Sequence, residues 1–292
     1  MGLPTSVDIT ANGDIFQIST FNAQHAQESL HQQPVNIFAS GPSIAELKFT
    51  DARLRQPSLF VNGSISLTTE HPFSNVAGYV ISDARFINHH PEILSAHYSG
   101  QPLYATLAVF EAIAICLPEL VMAYHPVFRL IFPVDRPWGV QVNRPWHRPW
   151  LNRFAFIDKL FNKKTPLSHF SQHPSFVIDS KQQPYPIGVS LDMSHGFVEA
   201  GTVAYVAAQL AFSRQASAIH LFGIDLLNSN QPRFYESKDN SAPCKLDKAI
   251  TDRIVPSFDL LGRVYDEHGV KVVNHSPISK DLFSSLKVET DS

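Results

Sequence analysis

The sequence predicts an α/β protein with a doubly wound, mostly parallel sheet, and three observations point there. Short, nearly continuous apolar runs recur at 35–39, 59–61, 78–81, 218–222 and 270–273, the signature of strands buried on both faces of a parallel sheet. Amphipathic helical patterns lie between them, such as 202–216, whose apolar face recurs at Val203, Val206, Ala207, Leu210 and Ala211. Every run ends in small or polar residues, as where a ligand is met at the carboxyl edge of an open sheet. The expected architecture is a single Rossmann-like twisted sheet flanked by helices. A Trp/Arg/Pro-rich helical or irregular subdomain is inserted into it.

Residues 1–33 form a polar, Gln- and Asn-rich segment in which Asp8 to Ile18 reads as a hairpin turning at Asn12-Gly13. The α/β domain is expected over 34–99 and 187–292, with 100–186 as the insert. The first strand runs into Ser40-Gly41-Pro42-Ser43. Gly41 allows a tight turn and close approach of a ligand to the backbone. Ser43 with Glu46 has the spacing of a capping box, which puts a helix N-terminus and its free N–H groups at that turn. The other strand ends are Asn62-Gly63-Ser64, Ser82-Asp83-Ala84-Arg85, Gly223-Ile224-Asp225 and Asn274-His275-Ser276-Pro277. Five such ends on one edge make a site.

The middle of the chain breaks this rhythm. All three tryptophans, Trp138, Trp146 and Trp150, follow an Arg-Pro pair, with Arg144 and Arg148 among them. Between Arg136 and Lys164 stand seven basic residues and one acid, Asp158. Indole rings beside cations suit a membrane interface or an anionic glycolipid. A lid whose rings cover the core is the plainer alternative. The most apolar stretch, 103–124, is broken by Glu111, Pro118 and Glu119, so it reads as one or two core helices rather than a membrane span.

Composition sets further limits. Acids outnumber Lys and Arg by 26 to 23 in 292 residues, which argues against nucleic acid as a partner. Two cysteines are too few for a disulfide framework and point to a reducing compartment. The N-terminus has neither the basic nor the apolar region of a signal peptide. The chain has no Walker A sequence, G-x-G-x-x-G, H-E-x-x-H, D-x-D or cysteine cluster, so no metal is expected. His89-His90 reads as a surface loop, because adjacent residues do not share a face. Asp83, the acid ending an apolar strand, is a candidate general base; an N-cap or a partner of Arg85 is the plainer alternative. Arg233 and Tyr235 follow the fourth strand and can meet a leaving phosphate.

Several blocks together resemble a known family. Tyr79-Val-Ile-Ser-Asp-Ala-Arg-Phe86, Asp192-Met-Ser-His-Gly196 continuing to Thr202, Gly223-Ile-Asp-Leu226 with Arg233-Phe-Tyr235, and Asn274-His-Ser-Pro277 are similar to the WaaZ-like transferases. These add a third 3-deoxy-D-manno-octulosonic acid (Kdo) to the lipopolysaccharide inner core. More distantly, the chain resembles the CMP-sialic acid sialyltransferases of the Campylobacter lipooligosaccharide type. The resemblance covers about residues 35–95 and 187–283.

It implies an inverting, metal-independent glycosyltransferase with a CMP-activated sugar as donor and lipid A-Kdo as acceptor. Ser40, Gly41, Pro42, Ser43, Asn62, Gly63 and Ser64 would hold the CMP part. The Gly201-Thr202 helix start would approach the phosphate or the donor carboxylate, and Arg85 and Arg233 would pair with that carboxylate. Asp225, Asn274 and Ser276 would complete the donor site, and Tyr235 would hydrogen-bond the departing phosphate. Sialyltransferases use a histidine base between the fourth and fifth strands, but residues 244–263 contain none. The base is left between Asp83 and His195. A nucleotide sugar, an anionic glycolipid and the cytoplasmic face of the inner membrane are the implied partners. A sialyltransferase and a non-catalytic nucleotide- or glycolipid-binding protein are the alternatives.

Overall fold

The computed structural model describes residues 4–136, 164–228, 234 and 249–289. The polar N-terminus folds into a hairpin, β1 (Ser6–Ala11) and β2 (Asp14–Thr20), turning at Asn12 and Gly13, both with positive φ. There follow β3 (Val35–Phe38), α1 (Asp51–Arg55), β4 (Ser58–Val61), α2 (Leu67–Glu70), β5 (Val76–Ile81), α3 (Ala84–His89) and α4 (Pro91–His97). Next come β6 (Leu103–Ala105), α5 (Leu107–Cys116), α6 (Pro118–Tyr124) and β7 (Phe128–Leu130). The described C-terminal part contains β8 (Phe176–Asp179), β9 (Ile187–Ser190), α7 (Val203–Ser213), β10 (Ala218–Phe222), α8 (Val255–Glu267), β11 (Lys271–Asn274) and β12 (Lys287–Val288).

Ten of these strands form one sheet in the order β1-β2-β7-β6-β5-β4-β3-β10-β11-β12. Every pairing in it is parallel except β1 with β2. From β3 the chain winds outward through β4, β5, β6 and β7, then returns to the other side of β3 as β10 and β11. The direction of winding reverses between β3 and β10, and open α/β sheets bind ligands outside the strand ends at such a point.

The expected mostly parallel α/β sheet is therefore present. All residues of β3 and β4 are buried, as their unbroken apolar character requires. Side-chain alternation sends Val35, Ile37, Leu59, Val61, Ile219 and Leu221 to one face, under α7, α8 and β9. Phe38, Phe60, Tyr79, Ile81 and Phe128 go to the other face, under helices of the 84–124 stretch.

Two boundaries differ from the expected division. The hairpin of residues 6–20 joins the sheet through β2 and β7. Both β6 and β7 lie inside the stretch expected as an insert, so the sheet extends to Leu130. Three-residue strands are too short for the apolar pattern to reveal, since it is read over runs of about four to eight residues. The apolar stretch beyond β6 is indeed two core helices, α5 and α6, which meet at a sharp bend; among the described residues no single helix is long and apolar enough to cross a membrane. The His89-His90 loop expected from sequence is also displaced: His89 ends α3, and His90 is buried at the junction with α4, with Nδ1 3.2 Å from Glu92 Oε1.

The hairpin of β8 and β9 packs beside the sheet. Tyr205 of α7 and Tyr265 of α8 are fully buried and donate to the carbonyls of Gly188 and Ser190, at 2.8 and 2.9 Å. Gln209 of α7 has no exposed surface, and both ends of its amide are used. Its Oε1 accepts from the N–H groups of Ser190 and Val198 at 2.9 and 3.0 Å, and its Nε2 donates to Val198 O and Tyr205 O at 2.9 and 3.1 Å. One side chain thus shapes the passage from β9 to the start of α7. Gln209→Leu keeps the volume but leaves buried N–H and C=O groups unpaired, each a loss of about 1–3 kcal/mol. We expect a fall of more than about 2 kcal/mol in urea unfolding; an unchanged midpoint would show that the amide has no such part.

Candidate functional site

The turn after β3 is where the sequence expectation and the structure differ most. Pro42–Glu46 is a single 3-10 turn capped by Gly41, without a side-chain cap, so the Ser43–Glu46 capping box does not form. Its N–H groups are already engaged. Gly41 N–H donates to Gly223 O at 2.9 Å, Ser43 N–H to Asp225 Oδ2 at 2.6 Å, and Ile44 N–H to Gly41 O at 3.2 Å. Ser43 Oγ donates to Asp225 Oδ1 at 2.8 Å, and Ser276 Oγ donates to the same oxygen. The anion at this turn is the chain's own Asp225 carboxylate.

Four of the expected donor residues, Ser43, Asp225, Asn274 and Ser276, meet in one network across the ends of β3, β10 and β11. Asn274 Oδ1 accepts from Ser276 N–H at 3.1 Å, and its Nδ2 donates to Ser279 O at 3.3 Å. Ser279 Oγ accepts from Leu226 N–H at 2.9 Å. Asn274, Ser276 and Ser279 are almost fully buried. These side chains hold strand ends together rather than facing outward. Gly41 is needed for the same reason: a Cβ there would overlap the Asp225 carboxylate and the Gly223 carbonyl. The close approach predicted at Gly41 is made by the neighbouring strand end. Gly223 has φ +70, and a Cβ would lie 2.6 Å from Ile44 Cγ1, so the residue on the other side of the contact is equally constrained.

The β4 end is split between support and surface. Ser64 is fully buried; its Oγ donates to Phe38 O at 2.6 Å and to Val61 O at 2.9 Å and accepts from Val61 N–H at 2.8 Å. It ties the β3 and β4 ends together. Gly63 is buried beside it. Asn62 has φ 49, and its carbonyl accepts from Tyr79 Oη at 2.8 Å. Its side-chain Oδ1 is buried without a hydrogen-bond partner among the described residues, an acceptor that an incoming hydroxyl or amine would satisfy. Ser40 Oγ reaches Val61 O at 3.4 Å, and Ser40 O accepts from Phe234 N–H at 3.4 Å.

Asp83 ends β5 as the N-cap of α3, accepting from Arg85 N–H at 2.9 Å. Arg85 Nε donates to both its oxygens, at 3.1 and 2.8 Å. Burial alone pushes the Asp83 carboxyl up, but the Arg85 hydrogen bonds and the charges of Arg85 and Arg136 outweigh it and hold the group below the usual carboxylate range. Asp83 is therefore ionised at neutral pH and weakly basic.

The other candidate base stands elsewhere. His195 ends the short turn Met193–His195, half-exposed, with Nδ1 3.1 Å from Ser175 Oγ and 3.5 Å from Asp192 Oδ2. Its loop lies beside the β7 end, where Phe197 N–H donates to Phe132 O at 2.9 Å. Gly201 has φ +90 and Thr202 is the N-cap of the eleven-residue α7, with no side-chain cap. Because α7 leads into the start of β10, its N-terminus faces the carboxyl edge of the sheet.

The acidic partners of the basic segment's two ends, Glu199 and Asp135, were not singled out from the sequence. Glu199 pairs with Arg136 at 2.7 Å and with Lys164 at 3.3 Å, and Lys164 also pairs with Asp135 at 2.8 Å. Arg136 and Asp135 follow β7, whose shortness concealed that they stand at a strand end. Arg233, Tyr235, Trp138, Arg144, Trp146, Arg148 and Trp150 lie outside the described residues.

Comparison with known proteins agrees with the family resemblance. Residues 161–288 match the family model of 3-deoxy-D-manno-octulosonic acid transferase WaaZ. A probable 3-deoxy-manno-octulosonic acid transferase of Salmonella typhimurium is 23% identical over 229 residues, 77% of this chain and 76% of that protein. One of the same description from Escherichia coli is 29% identical over 104 residues, 35% of this chain and 36% of its own. Among solved structures, the sialyltransferase CstII from Campylobacter jejuni, in complex with a substrate analogue, cytidine-5'-monophosphate, aligns over 88% of this chain and 85% of its own, with 11% identity and a TM-score of 0.42.

Two substitutions test the geometry. Gly41→Ala forces the turn away from Asp225, and overpacking of this kind costs about 1–3 kcal/mol in urea unfolding; a neutral result would mean that the contact is loose. Asp83 has a depressed folded-state pKa, so its contribution to stability is present above the unfolded carboxylate value and is lost as pH falls through the folded one. Arg85→Ala should move the Asp83 titration, followed by carboxyl NMR, to higher pH. An unmoved midpoint would disprove the role given to Arg85.

Proposed function

We propose that this chain is an inverting glycosyltransferase that takes Kdo from CMP-Kdo and adds it to the Kdo region of a lipopolysaccharide inner core. The similarity to the Salmonella transferase carries the reading. It extends over 77% of the chain, and a span of that length takes in the ends of β5 and β10 wherever it begins. The polar edge at the winding reversal supports the same reading, because it offers hydrogen-bond acceptors, cations and a helix N-terminus together.

In this proposal the Asp225 network supports the donor site, and the contacts come from groups beside it. Asn62 Oδ1, buried and unpartnered, accepts from the cytidine. The Gly201-Thr202 start of α7 faces the phosphate, where N–H groups and the helix dipole stabilise negative charge. Arg85, with Arg136, offers positive charge to the Kdo carboxylate. An acceptor hydroxyl attacks the anomeric carbon as its bond to the phosphate oxygen breaks. CMP departs, assisted by Tyr235, and the hydroxyl proton passes to a base.

Asp83 is our choice of base over His195. It is ionised, stands at the same edge, and needs only to accept a proton late, when the hydroxyl has become acidic. Arg85 must then exchange its hold on Asp83 for the donor carboxylate. No metal is assigned to the transfer step. Acceptor approach, and peripheral contact with the cytoplasmic face of the inner membrane, are assigned to the basic Trp-containing segment.

The test is CMP release and product mass with CMP-Kdo and Kdo-lipid A, in the presence of EDTA. Transfer should fall by about 100-fold or more in Asp83→Ala, and Tyr235→Phe should lower the rate with the acceptor KM little changed. CMP at ~100 times its Kd should add about 2.7 kcal/mol to stability. Turnover of CMP-sialic acid in place of CMP-Kdo would assign the other donor. Stabilisation by ATP with Mg²⁺ but not by CMP would overturn the proposal.

A further inference from the structure

Away from the proposed donor contacts, three side chains converge on the outer strands of the sheet. His220 lies in the middle of β10, His275 directly follows β11, and Glu289 directly follows β12. The register places them together. Leu221 pairs with Asn274 and Asn274 with Val288, so His275 falls beside Glu289 and level with Phe222, two residues beyond His220 on the same strand face. His220 Nδ1 lies 2.9 Å from His275 Nε2, and one ligand atom from each of the three residues lies within 4.8 Å of the others. The His275 ring stacks on Phe222 with centroids 4.4 Å apart, which fixes its orientation. Both imidazoles are half-buried and the carboxylate is exposed.

We propose that His220, His275 and Glu289 form a binding site for a divalent transition-metal ion of the zinc type. Two imidazole nitrogens and one carboxylate are the donors that zinc, cobalt and nickel prefer over magnesium or calcium. In a tetrahedral site with bonds of 2.0–2.1 Å, neighbouring ligand atoms stand about 3.3 Å apart. The two imidazoles need to open by only a few tenths of an ångström, and the carboxylate closes from the exposed side. The fourth position is left for water.

The three ligands come from three neighbouring strands: His220 from within β10, His275 from the end of β11 and Glu289 from the end of β12. β12 is a two-residue edge strand, so a shared ion would fasten it to its neighbours. The site is structural in this proposal and takes no part in sugar transfer, so its test does not depend on the proposed activity.

The experiment uses the full chain without an affinity tag. Equilibrium dialysis against Zn²⁺, with metal content measured by mass spectrometry, should give one tightly held equivalent. Co²⁺ should give the visible bands of a four-coordinate ion. Glu289→Gln, at an exposed position where folding is not at risk, should weaken binding by about tenfold or more. His220→Ala should abolish the tight equivalent, and Zn²⁺ should raise the Tm of the natural chain, less in Glu289→Gln and not in His220→Ala. No bound equivalent in the natural chain, or binding undiminished in Glu289→Gln, would overturn the site.

Discussion

A single carboxylate closes the point on which this fold turns. Asp225 receives the N–H and the hydroxyl of Ser43 and the hydroxyl of Ser276, so one side chain joins the ends of β3, β10 and β11. These are the strands on either side of the reversal in winding, where a doubly wound sheet opens a crevice. A nearly buried carboxyl group needs hydrogen-bond partners of this kind. The turn after β3 needs an acceptor for the Ser43 N–H group. Each satisfies the other, and the Gly41–Gly223 contact brings them close enough to do so.

That closure decides where a ligand can be met. A turn whose N–H groups hold an internal carboxylate does not present them to a phosphate. The groups at the same edge that this network does not use are the buried, unpartnered Asn62 Oδ1, the N-terminus of α7, and the exposed Arg85–Asp83 pair. Asp83 illustrates how position alters chemistry. The guanidinium that makes it a firm N-cap also makes it a weaker base, so any part in proton transfer requires Arg85 to be drawn elsewhere.

Beyond β7, Glu199 receives both Arg136 and Lys164, the described residues on either side of 137–163. It also stands two residues before Gly201 and four before the start of α7. The ends of the basic, Trp-containing stretch are thereby attached beside the helix N-terminus proposed to meet the donor. Gln209 secures the same loop from beneath through Ser190 and Val198. Blocks such as Asp192–Gly196, read from the sequence as part of a reactive site, are built into this support: Asp192 accepts from Ser194 N–H, and Ser194 Oγ accepts from Ala23 N–H.

The parallel sheet was legible because burial on both faces demands runs such as Val35–Phe38 and Ala218–Phe222, and the Asn12-Gly13 hairpin because its positive φ values favour those residues. The polar strand ends were legible as a set for the same reason: composition changes sharply where a buried strand leaves the core. Strands β6 and β7 were not, because three residues carry too little periodicity. The partners of each polar residue were not legible either. Whether Ser43 caps its own helix or holds Asp225, and whether Gly41 admits a ligand or a neighbouring strand, depend on residues up to 182 positions away in the chain; the pairing of Asp83 with Arg85, two residues on, was among the alternatives its sequence offered. The sequence by itself determined the layers of the fold and the edge on which its polar groups gather, since hydrophobic patterning acts locally. Only the tertiary structure decided which of those groups are consumed in holding strand ends together and which stand open, since hydrogen bonds are shared among segments that meet only after the sheet has wound.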